Sequence, residues 1–301
     1  MAETANRRLI VTGGRGRLAS IIAAHFRSQG REVELFSRTA GDGYRALADL
    51  LRPGAFRSGD AVLHLAWSTF PATAEQHPGQ ERREDLPFLE SLLAALENSA
   101  TPDQVHLVFF SSGGTVYGNA PGRPNVETDP CRPIGQHGRA KVAAEEMIRA
   151  HAGRRGRGHT ILRISNPYGY PVPPDRMQGI IPHAIRCASA GLPLALWGDG
   201  SARKDFLHYR DFLAALESVL GRRLAGTFNL SAGESHSVRE VLAMVEAQVG
   251  RKIPLAFAPA PAWDVQDSRI DNGRLVAATG WRPTIPLAEG IRREATGSLP
   301  P

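Results

Sequence analysis

Short apolar runs alternate with longer amphipathic stretches through the first half of the chain, and the two kinds of stretch predict strands and helices in turn. "RLIVT" (Arg8–Thr12) is a β-branched run that ends in glycines. "RLASIIAAHFRSQG" follows with apolar residues at helical spacing and stops at Gly30, a natural helix cap. "EVELFS", "AVLHLAW" (Ala61–Trp67) and "VHLVFFSS" (Val105–Ser112) read as the next three strands. "DLPFLESLLAALENS" is a helix between the last two. "IGQHGRAKVAAEEMI" (Ile134–Ile148) opens another helix, and "TILRIS" (Thr160–Ser165) a further strand. Strand and helix in alternation predict an α/β chain with a doubly wound parallel sheet, whose ligands lie at the carboxyl ends of the strands.

The pattern changes in the second half. "NPYGYPVPPD" (Asn166–Asp175) is a Pro-rich loop, followed by a helix from about Gly179 to Ala190 and by a Gly/Asp turn in "WGDGSARKDFLHYRDF". "GTFNLS" is one more strand, placed to return to the main sheet. An amphipathic helix (Val238–Val249) and a loose, Pro-rich tail complete the chain. Two domains are expected: residues 1–167 with about 208–232 carrying the sheet, and a smaller C-terminal α/β substrate-binding domain of 168–207 and 233–301. No internal repeat is present.

Composition narrows the function classes more than the fold. At 301 residues the chain can bury a large core, and 42% hydrophobic with 22% charged residues is ordinary for a water-soluble domain. No apolar stretch approaches the roughly 20 residues of a membrane-spanning helix. The chain enters a strand-like run soon after its first residue, so the expectation is no leader and a cytoplasmic location. Cys131 and Cys187 are too few and too far apart for a disulfide framework or a zinc site, and no metal is expected. The net charge of +6 comes from 33 Arg and three Lys scattered among Asp and Glu, with "GRRGRG" (Gly153–Gly158) as a basic loop. That scatter solvates a surface rather than forming a nucleic-acid stripe.

The candidate chemistry begins at "VTGGRGRLAS", which sets Gly13, Gly14 and Gly16 between a strand and a helix. The backbone there must turn tightly and approach an anion without side chains in the way, while the helix N-terminus offers free N–H groups and a positive dipole end. This is a cradle for the pyrophosphate of a dinucleotide. At the end of the second strand an acidic residue bonds the ribose hydroxyls of NAD, whereas Arg accepts the extra phosphate of NADP. Here that position is Ser37-Arg38, with Arg15 inside the glycine loop, so NAD(P) is expected and the reading favours NADP.

Taken in order, the motifs resemble the extended short-chain dehydrogenase/reductases of the NAD-dependent epimerase/dehydratase group, which act on nucleotide sugars. "TGGRGRLA" is similar to the group's TGGxGFIG loop, with Ala19 in place of the last Gly, and "VLHLAW" to its third-strand motif. "FFSSGGTVYG", "RISNPYG", "GDGSARKDFLHYRDF" and the closing "GWRP" (Gly280–Pro283) resemble later segments, so the likeness covers nearly the whole chain. The resemblance implies a Rossmann-type domain in which Arg17, Leu18, Leu65, Ala66 and Lys141 also touch the cofactor. It implies a UDP- or dTDP-sugar held by Tyr117, Asn166, Arg203, Lys204 and Asp264, and a homodimer.

Departures from the group's pattern sharpen the question of chemistry. The resemblance implies a Tyr and a Lys four residues apart, on one helix face, where the Lys lowers the Tyr pKa and a Ser or Thr bonds the reacting oxygen. Here the Lys is Lys141 but the Tyr position holds His137. The Ser/Thr position is Gly113, which leaves Ser112 or Thr115 to supply the hydroxyl, and the Arg usual three residues before Asp264 is Pro261. Imidazole is a competent acid or base near neutral pH. Equally, a His at that position can simply pack in a pocket that no longer does redox chemistry. Three functions are therefore carried forward. One is a nucleotide-sugar 4-epimerase working through a keto intermediate, one an NADPH-dependent reductase of a dTDP-4-keto-6-deoxysugar, and one a non-catalytic cofactor-responsive protein.

Overall fold

The computed structural model describes residues 8–99, 104–120, 122–155, 158–171 and 179–297. Strand β1 (Leu9–Thr12) is buried at every position, as an apolar run must be when both faces of a sheet are covered. Helix α1 (Arg17–Ser28) buries Ala19, Ile22, Ala23 and Phe26, a single stripe at helical spacing. Strands β2 (Val33–Ser37), β3 (Arg45–Ala46), β4 (Ala61–His64), β5 (His106–Ser112) and β6 (Thr160–Ile164) follow. Helices α2 (Pro71–Gln76), α3 (Gln80–Arg83), α4 (Asp85–Glu97) and α5 (Gln136–Arg155) stand between them. The remaining strands are β7 (Asn166–Tyr168), β8 (Leu194–Trp197), β9 (Arg203–His208), β10 (Gly226–Leu230), β11 (Ser235–Ser237) and β12 (Leu255–Ala258). The remaining helices are α6 (Ile180–Ala190), α7 (Tyr209–Arg222), α8 (Val238–Val249), α9 (Gly273–Thr279) and α10 (Leu287–Ala295).

Seven strands form the main sheet in the order β10-β6-β5-β4-β1-β2-β3. β1 pairs in parallel with both β2 and β4, and β4 in parallel with β5. The chain thus builds one half of the sheet outward from β1, then crosses over and builds the other. The reversal between β1 and β4 is the switch point at which open sheets of this Rossmann type hold ligands. A three-stranded sheet (β11-β9-β7) and a parallel pair (β12-β8) lie outside the main sheet.

Packing divides the chain into two compact units: residues up to 112 with 135–163 and 217–228, and residues 113–134 with 164–216 and from 229 onward. In the first, Ile10, Phe36, Val62, Leu107 and Phe109 of the sheet pack with Leu89, Leu92 and Leu96 of α4 and with Ala144 and Ile148 of α5. In the second, α6, α8 and α10 contribute Ile181, Ala184, Val241, Val245 and Ile291 to a core with Leu194 and Phe206.

The structure adds elements that the pattern left unread. The stretch around the Gly/Asp turn contains β8, β9 and the start of α7, with the turn confined to the residues between the two strands. The tail read as loose holds β12, α9 and α10. The basic stretch 153–158 continues α5 as far as Arg155, and residues 156–157 lie outside the described residues, as do 172–175 of the Pro-rich loop. Among the described residues no helix is long and apolar enough to cross a membrane, and no His, Cys, Asp and Glu cluster is placed to hold a metal ion.

Candidate active site

The glycine loop sits at the switch point, between β1 and α1. Gly13 holds φ at +71°, and a Cβ added there would lie 2.9 Å from the Ala66 nitrogen, so only glycine fits. Gly14 is pressed against Leu35 and Tyr44, where a Cβ would come within 3.0 Å of each. Gly16 caps α1 with no side chain turned onto the helix, and no acidic residue stands in the first turn. The N–H groups of that turn and the bare backbone of the loop suit an anionic pyrophosphate. Leu18 is the second residue of α1, and Arg17, the first, keeps a buried guanidinium nitrogen without a hydrogen-bond partner among the described residues. The residues present therefore fit a dinucleotide.

At the end of β2, Ser37 donates its hydroxyl to the Thr39 carbonyl and carries no carboxylate. The Arg15 guanidinium lies 4.6 Å above the Tyr44 ring and 3.7 Å from Asp42, while Arg38 pairs with Glu84 at 3.1 Å. Arg15, Tyr44 and Ser37 thus surround the end of this strand, and Arg38 is drawn toward α4.

One hydroxyl of β1 holds the residues that follow β4. Thr12 Oγ1 accepts from the backbone N–H groups of Leu65 and Ala66 at 3.1 and 3.0 Å. With both lone pairs used, its proton goes to His64 Nδ1 at 2.8 Å, which fixes the His64 proton on Nε2. His64 stacks between Phe88 and Phe109, and burial together with Lys141 pushes its pKa down to about 3.

Helix α5 begins where the Gln136 N–H donates to Glu75 at 2.6 Å, an acceptor that serves an otherwise unpaired first-turn donor. One residue later His137 is 8% exposed, and one turn on Lys141 is 6% exposed. The Lys141 ammonium donates to the Phe110 carbonyl at 2.9 Å and lies 3.7 Å from the centre of the Trp67 ring. Burial lowers it to about 7, against the pull of Asp85, Glu145 and Glu81. Burial and the Lys141 charge push His137 down to about 3, so its resting state is a neutral imidazole. Its Nδ1 is buried without a hydrogen-bond partner among the described residues, 4.0 Å from Glu81 Oε1, and its ring meets Trp67 edge-on at 6.5 Å. Asp85 accepts from the Ser68 N–H and hydroxyl, and burial raises its pKa.

Ser112 ends β5 and is half-buried. Ser111 beside it is engaged elsewhere: its hydroxyl donates to Glu145, which also receives the Arg163 guanidinium at 2.7 Å. In the second unit the Thr115 hydroxyl is buried without a partner among the described residues, whereas Tyr117 is 3% exposed and donates its hydroxyl to Asn229 at 2.7 Å. The Asn166 amide donates to the Asp205 carbonyl at 2.7 Å. Lys204 and Asp264 are brought together as an ion pair at 3.0 Å, while Arg203 turns to the Ser235 carbonyl and Glu240. Lys204 and Arg203 are successive residues of one strand and so point to opposite faces. Sequence reasoning missed Glu81, which sits in the polar stretch "GQERRED", and Trp67, which ends the third-strand motif and was open to notice as a bulky residue in a cofactor loop.

A family model described as the NAD dependent epimerase/dehydratase family matches residues 9–231. The dTDP-4-dehydro-6-deoxyglucose reductase of Escherichia coli is 29% identical over 76% of this chain and 72% of its own. The UDP-glucose 4-epimerase of Mycolicibacterium smegmatis is 30% identical over 62% of this chain and 60% of its own. The crystal structure of the Thermus thermophilus UDP-glucose 4-epimerase complex with NAD superposes with a TM-score of 0.84 at 28% identity, covering 96% of this chain and 98% of that one.

Proposed function

Because the chain belongs to the NAD dependent epimerase/dehydratase family, we propose that it is a nucleotide-sugar 4-epimerase in which His137 handles the proton. The observation that carries the reading is the pair His137 and Lys141, both buried and one helical turn apart at the start of α5. The glycine loop would hold the pyrophosphate of a nicotinamide dinucleotide, and Leu65 and Ala66 would line its path. That cofactor, when bound, supplies a hydride acceptor at C4 of the sugar and returns the hydride afterwards. His137 takes the C4 hydroxyl proton on its free nitrogen and gives it back as the 4-keto sugar is reduced on its other face. Ser112 or Thr115 steadies the same oxygen, and Asn166 with the Lys204–Asp264 pair holds the nucleotide diphosphate and its ribose.

The test is to incubate the purified protein with UDP-glucose and with dTDP-glucose and to look for the C4 epimer without net cofactor consumption. No product from either sugar would sink the proposal. Replacing His137 by Gln is expected to lower kcat by about 10²-fold or more with little change in KM, and unchanged turnover would remove His137 from the chemistry.

A second reading rests on the end of β2. Ser37 in place of a carboxylate, with the Arg15 guanidinium on Tyr44 nearby, favours the phosphate of NADP, and NADPH suits net reduction of a dTDP-4-keto-6-deoxysugar. Stoichiometric loss of NADPH absorbance with such a keto-sugar would establish this reading over the first.

A further inference from the structure

The exchange of Tyr for His inverts the electrostatics of the site. A phenol that gives up its proton becomes an anion, and a neighbouring Lys stabilises it. An imidazole that takes up a proton becomes a cation, and the same Lys opposes it. Lys141 therefore cannot do for His137 what it does for a Tyr. A base at position 137 needs an anion on its far side, and the structure supplies one. Glu81 on α3 is 2% exposed, and its Oε1 lies 4.0 Å from His137 Nδ1, a nitrogen that is buried and without a hydrogen-bond partner among the described residues. The Thr69 hydroxyl donates to that same Oε1 and fixes the carboxylate in place. α2 and α3 both pack on α5, and Glu75 of α2 receives the Gln136 N–H, so the start of α5 is anchored from the side on which Glu81 stands.

We propose that Glu81 is a positioning residue for His137, holding the imidazole proton on Nδ1 and leaving Nε2 as the lone pair that takes the substrate proton. The proposal rests on the reading that His137 handles the proton. As the C4 hydroxyl gives its proton to Nε2, the ring becomes an imidazolium, its Nδ1–H closing on the Glu81 carboxylate. When the oxygen recovers its proton the ring returns to its neutral Nδ1–H form, so the proton balance is closed within the cycle. The charged groups around the ring are Glu81 from α3 and Lys141 from α5, with Asp85 at the start of α4 and Glu145 on α5 acting on Lys141 in turn. Burial holds the free His137 ring neutral, which makes the tautomer the quantity that matters in the resting protein.

The experiment is nitrogen-15 NMR of the side chains in protein labelled at its ten histidines, with the His137→Gln variant assigning one set of signals. The wild-type protein is expected to carry the His137 proton on Nδ1, and Glu81→Leu, which removes the acceptor, to move it to Nε2. Glu81→Gln keeps the shape and an acceptor oxygen but loses the charge. It is expected to lower turnover of UDP-glucose by about 10²-fold with KM within about twofold, while Glu81→Asp recovers part of the rate. A wild-type spectrum with the proton on Nε2 overturns the proposal even if no Glu81 variant folds. Turnover unchanged in Glu81→Gln overturns it as well. The two readings fail separately: a fully active His137→Gln sinks the proton-handling role, whereas an inactive one with an Nε2–H wild type sinks Glu81 alone.

Discussion

At Gly13 two requirements meet, a positive φ and a backbone nitrogen 2.9 Å from where a Cβ would sit. Gly13→Ala is therefore expected to destabilise the protein by more than about 1 kcal/mol in a denaturant titration and to weaken NAD or NADPH binding in calorimetry. Binding and stability equal to wild type would show that the loop relaxes freely. The neighbouring Gly16 is less constrained, because its φ is negative and, among the described residues, only the Gly13 carbonyl lies near its missing Cβ, at 3.0 Å. Much of this scale was legible beforehand: the glycine spacing and the four-residue step from His137 to Lys141 are local, and a helix face is fixed by spacing alone. Glu81 was not legible. It lies 56 residues before His137, in a run of Gln, Glu and Arg that reads as solvated surface, and only tertiary packing turns it inward. The same holds for the Lys204–Asp264 pair, whose members are 60 residues apart.

At the scale of elements, α5 is tied down at its first residue and again at Glu145. Its first N–H is received by Glu75, and one turn beyond Lys141 its Glu145 side chain is fully buried and clamped by Arg163, Arg149 and the Ser111 hydroxyl. Removing one partner of such a pair leaves the other charged and buried, which costs about 3–5 kcal/mol. Glu145→Ala is expected to lower stability by that amount in a denaturant titration. A loss under about 1 kcal/mol would mean that Arg163 finds water. Glu75→Ala should cost less, about 0.5–2 kcal/mol, as for other helix-start acceptors. α7 shows why some elements stayed unread. Phe212, Ala215, Leu216 and Val219 form a clean buried stripe, but the helix starts inside a motif that the eye assigns to a turn. α10 had a weaker signal, with Leu287, Gly290 and Ile291 buried beneath a surface of Glu289, Arg292 and Arg293 ion pairs.

At the scale of the whole molecule, the buried titrating groups of the two compact units pull stability in opposite directions as pH falls. In the first, His64 and His137 are held near 3, far below an ordinary imidazole. The unfolded chain therefore binds protons before the folded unit does, so stability present above about pH 6.5 is lost as pH falls toward 3. Asp85, raised by burial, opposes this in part. In the second unit burial raises Asp205 to about 6 and Glu294 to about 7. There the folded form binds protons first, and stability grows as pH falls through those values toward the ordinary carboxyl range. His208, lowered to about 4, offsets one of the two carboxyls, so the net gain is modest. Mild acid should therefore weaken the first unit while the second holds or strengthens. Hydrogen exchange followed by mass spectrometry at about pH 7.5 and about pH 5, corrected for intrinsic exchange rates, reads each unit separately. Protection is expected to fall in peptides of β1, β4 and α5 and to hold or rise in those of β9, α8 and α10. Glu294→Gln should remove most of the rise, because an amide has no proton to gain, and His64→Gln should flatten the fall for the same reason. A parallel loss of protection in both units would show that other titrating groups dominate the response to acid.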